Sequence, residues 1–167
     1  MRRISDPRPP AGVRRALFRL PIHLYRLRLG WLLGRRFVLI HHTGRRSGRR
    51  RRVVVEVVAR DPAAGTVTVA SGFGPRADWY RNLLAHPDTE IELGAHRYPV
   101  RAVPLTPEQG GEVMVGYARR HGRAARFLAR FLGFAVDGSA DDYRAVGREI
   151  PFIRFDPARP VVPGRPG

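Results

Sequence analysis

The chain alternates between apolar runs with the two-residue period of strands and runs with the longer period of helices. The central run, RVVVEVVAR at 52–60, is too apolar on both faces to be an edge strand. Turn residues at 61–65 and at 94–95 join neighbouring runs as hairpins. The predicted strands span residues 36–42, 52–60, 66–72, 89–94, 96–105 and 150–156.

Helical patterns interrupt these strands. Asp78 is a suitable N-cap for a short helix over 78–87, and Thr106 followed by Pro107 is a typical start for a helix over 106–122. Residues 123–133 form a further amphipathic pattern. Hairpin-connected strands with inserted helices do not follow the strand–helix alternation of a Rossmann sheet. The pattern predicts a closed or split antiparallel barrel with peripheral helices, which is a mainly β, α+β fold.

The N-terminal segment, residues 1–35, has a different pattern. Leucine and tryptophan recur at spacings of three and four over 13–33 with arginine between them, which predicts a basic amphipathic helix. Such a helix can lie on an anionic membrane surface or cover one face of the domain, and the two roles are compatible. No uninterrupted apolar run here reaches the length of a signal peptide or a membrane span. We expect a barrel domain at 36–157, a Pro/Gly-rich tail at 158–167 and a cytoplasmic protein.

The net charge of the chain limits the classes of ligand that it favours. Lys+Arg is 31 against 14 Asp+Glu, a formal net charge of +17, and every basic residue is arginine. This excess favours polyanions: nucleic acid, anionic lipid, or a phosphorylated and carboxylated cofactor. The absence of cysteine excludes disulfides, thiolate metal sites and cysteine nucleophiles.

The densest positive charge lies in a turn. Six arginines occupy the eight positions from Arg45 to Arg52, directly before the apolar strand. Two glycines in the turn expose backbone N–H groups, Ser47 adds a hydroxyl, and arginines can bind oxyanions through two hydrogen bonds at once. The turn suits a phosphate or carboxylate, although a solvated basic loop is an alternative. The candidate donors are Arg45, Arg46, Arg49 and Arg51.

A second candidate site is the stretch ASGFGPRADWYRN at 70–82. Its glycines allow close approach of a ligand, and its aromatic residues can form a stacking wall or simply belong to the core. His41 and His42 are adjacent on a strand and so face opposite sides, and no histidine spacing indicates a metal site. No Ser–His–acid arrangement is recognisable. An enzyme built this way would take its chemistry from a cofactor.

Three stretches together resemble the deazaflavin-dependent nitroreductase family, small split-barrel F(420)-dependent oxidoreductases. They are HTGRRSG at 42–48 with the VVVEVV strand, VASGFGPRADWYRNLLAHP at 69–87, and DDYR…IPFIRFDP at 141–157. The resemblance implies a split β-barrel of the FMN-binding type that binds coenzyme F(420). This cofactor is an 8-hydroxy-5-deazaflavin with a phospholactyl–oligoglutamate tail, and that tail is a suitable anion for the arginine-rich turn.

The resemblance also implies roles for individual residues. Where the family usually has Pro this chain has Arg50, and where it often has Thr or Asn the chain has Val53 and Val54. Tyr143 lies where the family tends to place a tyrosine at the substrate side. The implied cofactor-binding residues are Arg45, Arg46, Ser47, Gly48, Arg51, Val53, Val54, Val55, Ser71, Gly72, Phe73, Gly74, Trp79, Tyr80 and Asn82.

The implied reaction is hydride transfer from the reduced deazaflavin to an electron-poor acceptor such as a quinone, enone or nitroaromatic. A membrane-dissolved quinone would suit the N-terminal amphipathic helix and a position at the inner face of the cell membrane. The same fold binding FMN or haem is an alternative. A basic protein that binds nucleic acid or a membrane surface is another, although no helix-turn-helix, RNP or zinc pattern supports the former. Monomer and homodimer both remain open.

Overall fold

The computed structural model describes residues 1–3 and 36–158. The predicted N-terminal helix at 13–33 and nearly all of the C-terminal tail lie outside these residues. The barrel strands are β1 (Phe37–Thr43), β2 (Arg50–Asp61), β3 (Thr66–Ala70), β4 (Asp88–Leu93), β5 (His96–Pro104) and β6 (Phe152–Pro157). The helices are α1 (Asp78–Ala85), α2 (Pro107–Arg120), α3 (Gly122–Phe131) and α4 (Ala140–Glu149).

The six strands close into an antiparallel barrel, in the order β1-β2-β3-β6-β5-β4 and back to β1. This confirms the predicted fold class and all six predicted strands. Alternate residues point inward, so Val38 and Ile40 of β1 pack with Ile153 and Phe155 of β6 in a core that reaches 0% exposure. Burial of these β-branched and aromatic side chains is the main stabilising contribution to the barrel.

The barrel is split along the first half of β2. Residues Phe37 to Thr43 pair with the strand from Glu56 back to Arg50, but β3 pairs with β2 only from Val57 onward. A register shift between Val57 and Ala59 turns Val58 away from the barrel and into the helical cluster. In the described part of the chain, the edge of β2 over residues 50–56 therefore has no strand beside it on that side.

The helices α2, α3 and α4 form a second core against one end of the barrel. Gly110 of α2 and Gly147 of α4 face each other so closely that a Cβ on Gly110 would lie 2.5 Å from the carbonyl oxygen of Gly147. The glycine pair 110–111 is unfavourable in an isolated helix, and the close packing of α2 on α4 compensates for it here. Met1–Arg3 lies beside this cluster, where Arg2 and Arg3 pair with Ala135 and Phe134.

The helices differ from the prediction at two places. Asp78 is not the N-cap of α1: Ala77 takes that position, and Asp78 is the first helical residue. Helix α4 was not predicted; Ser139 caps it by accepting a hydrogen bond from the backbone N–H of Asp142. The predicted cap at Thr106 is confirmed and forms a full capping box with Gln109. None of the helices in the described ranges has the length and hydrophobicity to cross a bilayer.

Candidate functional site

The fold brings the two candidate motifs together. The arginine turn (residues 44–49) joins β1 to β2, and the glycine–aromatic loop (residues 70–82) runs from the end of β3 into α1. Asn82 Oδ1 accepts hydrogen bonds from the backbone N–H of Arg45 at 3.1 Å and from its guanidinium at 3.0 Å. The same guanidinium lies 3.0 Å from Asp78 Oδ1. Helix α1 therefore fixes the position of the arginine turn.

The NH₂ group of the Asn82 side chain binds a buried histidine. His42, at 6% exposure, places Nδ1 2.9 Å from Asn82 Nδ2, so the neutral imidazole accepts from the amide. Burial, together with the nearby positive charge of Arg51, lowers the pKa of His42 to about 4. At neutral pH His42 is uncharged. His41 points to the opposite face and contacts Glu92, as the strand alternation predicts.

The arginine turn presents unused donors. Gly48 has a φ of 64°, which lets the chain reverse, and its N–H bonds the Gly44 carbonyl oxygen at 2.8 Å. Within the described residues, no hydrogen bond occupies the backbone N–H of Arg46 or Ser47, and the side chains of Arg46, Arg49 and Arg51 form no ion pair. Arg45 is different, because Asp78 and Asn82 already bind its guanidinium. Free N–H groups beside three free guanidiniums have the donor chemistry that suits an oxyanion.

The open edge of β2 continues from this turn. Val53 and Val55 pack partly into the barrel core, whereas Val54 is in register with Leu39 and faces the other way. Because β3 leaves β2 at Val57, the backbone N–H and C=O groups along residues 50–56 on that edge have no ladder partner among the described strands. A planar heterocycle can hydrogen-bond to such an edge.

The glycine–aromatic loop lies at the far end of that edge. Ser71 Oγ donates to the Gly74 carbonyl oxygen at 2.8 Å, and Gly74 has a φ of 69°. A Cβ on Gly72 would meet the Phe131 ring at 3.4 Å, and the Phe73 ring stacks edge-on with that same ring at 6.0 Å. These contacts fix the loop against α3, and the hydrogen bond from the Ser71 N–H to the Pro151 carbonyl oxygen holds it at the start of β6.

The aromatic residues of α1 have different environments. Trp79 is buried among the barrel residues, so its indole stabilises the core. Tyr80 is half-buried, and burial raises the pKa of its phenol. Their rings meet edge-to-face at 6.1 Å. Of the two predicted stacking residues of this helix, Tyr80 is the more accessible to a ligand.

Tyr143 lies elsewhere. It is 4% exposed in the cluster formed by α2, α3 and α4, and one side of it lines a cavity of about 780 Å³ between these helices. No described contact joins it to the arginine turn. Its predicted role at the substrate side stays a prediction.

A polar cluster that the sequence did not indicate lies at Glu56, directly before the bulge of β2. The Tyr117 hydroxyl donates to Glu56 Oε1 at 2.7 Å, and the guanidinium of Arg36 approaches the same oxygen at 3.2 Å. Burial and the neighbouring carboxylate raise the pKa of Tyr117. Because 61 residues separate Tyr117 from Glu56, no local motif could have predicted the pair. Among the described residues no cluster of histidine and acidic side chains could hold a metal ion.

Fold and site together define a split-barrel protein with an arginine-rich turn beside an open strand edge. The model of the F(420)H(2)-dependent quinone reductase family matches residues 18–126, about two thirds of the chain. The chain belongs to this family. The matched range includes the arginine turn, the open edge and the glycine–aromatic loop.

Similar proteins agree with this assignment. The chain is 38% identical over 71 residues to the F(420)H(2)-dependent quinone reductase Rv1261c of Mycobacterium tuberculosis, an overlap of 42% of this chain and 47% of the relative. The chain thus spans about half the length of this curated relative.

Solved structures show the same fold. The F(420)-H(2) dependent reductase FDR-A superposes with a TM-score of 0.51 at 22% identity, over 74% of this chain and 96% of that one. A pyridoxamine 5'-phosphate oxidase-related, FMN-binding protein from Nostoc punctiforme superposes with a TM-score of 0.51 at 11% identity, over 89% and 83% of the two chains.

Proposed function

We propose that this protein is an F(420)-dependent oxidoreductase that transfers a hydride from the reduced coenzyme to a quinone. One observation carries the proposal: the arginine turn, held by α1, lies at the start of an open strand edge that ends at a glycine-rich loop. Family membership supports the coenzyme, and the quinone reductase activity after which Rv1261c is named supports the quinone. Enones and nitroaromatics are the other acceptors to be tested.

The residues present fit the coenzyme. Its tail carries a phosphate followed by carboxylates, and the arginine turn offers the unoccupied N–H groups of Arg46 and Ser47 together with the free guanidiniums of Arg46, Arg49 and Arg51. Its ring system is planar and polar at the edges. The unpaired backbone groups near Val53 to Val55 and the loop around Gly72 would hold such a ring.

Bound in its reduced form, the deazaflavin supplies a hydride, and a quinone that accepts this hydride and one proton becomes a hydroquinone. The contribution of the chain is binding and orientation. The arginine turn would hold the anionic tail, the β2 edge would set the plane of the ring, and the loop at Ser71 to Gly74 would exclude water from one side. Tyr143 as a residue on the substrate side remains part of this proposal.

The proposal extends to location and assembly. A quinone dissolved in a membrane places a cytoplasmic enzyme at the inner face of that membrane, and the basic N-terminal segment is compatible with it. Monomer and homodimer both satisfy the site as described, because the arginine turn and the loop belong to one chain.

FMN is the competing cofactor, since an FMN-binding protein shares the fold. FMN also carries a phosphate, but it has no oligocarboxylate tail to occupy several arginines. An extended row of free guanidiniums therefore favours F(420).

The decisive experiment is a titration of the purified protein into oxidised F(420), followed by the fluorescence of the coenzyme, with FMN in parallel. We expect saturable F(420) binding that Arg46→Ala weakens about tenfold, the usual effect of losing one charge-assisted contact. The matched control is Arg60→Ala, an exposed arginine at the other end of β2, which should bind normally. Binding of FMN alone would overturn the cofactor assignment, and binding of neither would overturn the enzyme function.

If F(420) binds, a second assay identifies the acceptor. Reduced F(420) is mixed with a soluble quinone analogue, an enone or a nitroaromatic, and coenzyme oxidation is followed. Faster oxidation with the quinone supports the proposed acceptor, whereas activity restricted to another acceptor would replace it.

A further inference from the structure

Helix α3 carries an unusual exposed face. Arg123, Arg126, Phe127 and Arg130 recur at spacings of three and four, so they lie on one side of the helix. Ala125 and Ala129 on the opposite side are fully buried against α2 and α4. We call these four outward residues the basic face of α3. No described contact joins this face to the arginine turn.

Phe127 is a large apolar residue that is exposed to solvent. Its side chain is 74% exposed, more than any other large hydrophobic residue in the described chain. Neighbouring Leu128 and Phe131 turn partly inward toward the helical core. Among the described residues, Phe127 belongs to neither hydrophobic core, so the packing of these residues gives no reason for a phenyl ring at this position.

The charges around Phe127 are uncompensated. In the described ranges, none of Arg123, Arg126 and Arg130 forms an ion pair. Glu112 of α2 and Asp141 of α4 both bind Arg144. A cluster of free guanidiniums around one exposed aromatic ring is complementary to a surface that is both anionic and apolar.

The surface beside this face is recessed rather than flat. A cavity of about 780 Å³ lies among α2, α3 and α4 and is bordered by the basic face, with an apolar floor at Val115, Ala118 and Tyr143 and with Arg119 on its rim. A recess of this volume with cationic walls and an apolar floor matches a phospholipid, which presents a phosphate above hydrocarbon. An extended nucleic-acid strand would instead need a continuous basic track.

We infer that the basic face of α3 is a docking surface for an anionic phospholipid membrane. Phe127 enters the interface between head groups and acyl chains, and the surrounding arginines contact lipid phosphates. The inference does not depend on the proposed cofactor. It would hold the protein with α3 against the bilayer.

The test is co-sedimentation of the full chain with vesicles of phosphatidylcholine alone or mixed with phosphatidylglycerol. We expect binding to the mixed vesicles only. Replacement of Arg123, Arg126 and Arg130 by glutamine should weaken this binding about 100-fold, and Phe127→Ala about tenfold. All variants retain the N-terminal segment, so any contribution from it stays constant.

Matched controls separate the surface from net charge. A triple variant of Arg60, Arg97 and Arg101 to glutamine removes the same charge elsewhere, and Tyr98→Ala removes another exposed aromatic ring. Both should bind vesicles like the parent. Equal losses in the control and α3 variants would overturn the proposal, as would unchanged binding in the α3 variants or no binding by the parent.

Two further readouts complete the test. Duplex DNA added instead of vesicles should bind weakly; tight binding that depends on the three α3 arginines, without vesicle binding, would assign the face to nucleic acid. The F(420) titration should be unchanged in the α3 variants. A protein that binds vesicles through α3 but not F(420) would retain this inference and lose the proposed enzyme function.

Discussion

Asn82 binds Arg45 twice, accepting from both its backbone N–H and its guanidinium through the single oxygen Oδ1. The amide thereby couples helix α1 to the arginine turn across 37 residues of sequence. Its NH₂ group is used as well, by His42. One buried side chain thus holds the turn in the conformation that exposes its N–H groups, which makes Asn82 a positioning residue.

We expect Asn82→Leu to weaken F(420) binding about tenfold, equivalent to about 1.4 kcal/mol, because the turn loses its anchor while its exposed arginines remain. The dissociation constant from the fluorescence titration measures this. Asn82→Asp retains an acceptor for Arg45 but loses the NH₂ group that donates to His42, so it should recover only part of the binding. Equal losses in both variants would show that the hydrogen bond to His42, rather than the bond to Arg45, holds the turn.

Acidification should destabilise the fold through His42. The pKa of His42 is lowered to about 4, below its ordinary value of 6.5, so between these pH values the unfolded chain binds a proton that the folded chain does not. Stability is therefore complete above pH 6.5 and falls as the pH decreases toward 4, by about 3 kcal/mol at most for this shift.

Urea unfolding at pH 7.5 and pH 5 measures this effect. His42→Gln has no titrating imidazole, so it should show a smaller loss between the two pH values than the parent does. An identical pH dependence in parent and variant would mean that other groups cause it. His86 and His121 are exposed and serve as replacement controls.

Gly147→Ala should destabilise the helical cluster by about 1–3 kcal/mol, because the new methyl group would lie 2.7 Å from the Gly111 Cα, where backbone cannot move aside easily. Thermal unfolding gives the difference. Gly122→Ala is the matched control: a Cβ there meets nothing within 4 Å, and stability should stay the same or rise slightly. If the two variants unfold alike, α2 and α4 are less closely packed than described.

Gly48→Ala tests the shape of the arginine turn. With a φ of 64° at this position, an alanine costs about 1–2 kcal/mol and favours a different turn. We expect weaker F(420) binding and slightly lower stability. Gly48→Asn should recover most of both, because asparagine tolerates left-handed backbone. Failure of asparagine to recover binding would indicate that a side chain, rather than strain, blocks the site.

The sequence predicted the strands well because period-two burial and turn residues are local signals. Helix α4 shows what such signals omit. Its sequence contains a glycine and few apolar residues, and its helical state depends on Gly147 packing against Gly110, a contact between distant segments. Asp78 failed as a predicted cap for a related reason: its carboxylate binds Arg45 instead of the helix backbone.

The sequence identified the residues of the candidate site but not which of them are bound within the protein and which are free to contact a ligand. The motifs indicated that the turn and the loop act together, and the structure places them in contact. Sequence could not distinguish Arg45, whose guanidinium is engaged, from Arg46, whose guanidinium is free. Nor could it predict that β3 separates from β2 at Val57, which depends on a bulge.

The open edge of β2 has a consequence for solubility as well. Unpaired strand edges template the addition of a strand from another molecule, the first step of edge-to-edge aggregation. Here the edge begins with Arg50, Arg51 and Arg52, all exposed. Two copies that approached edge to edge would bring these like charges together. The arginines that suit an anionic cofactor therefore also oppose polymerisation of the protein along the open edge of β2.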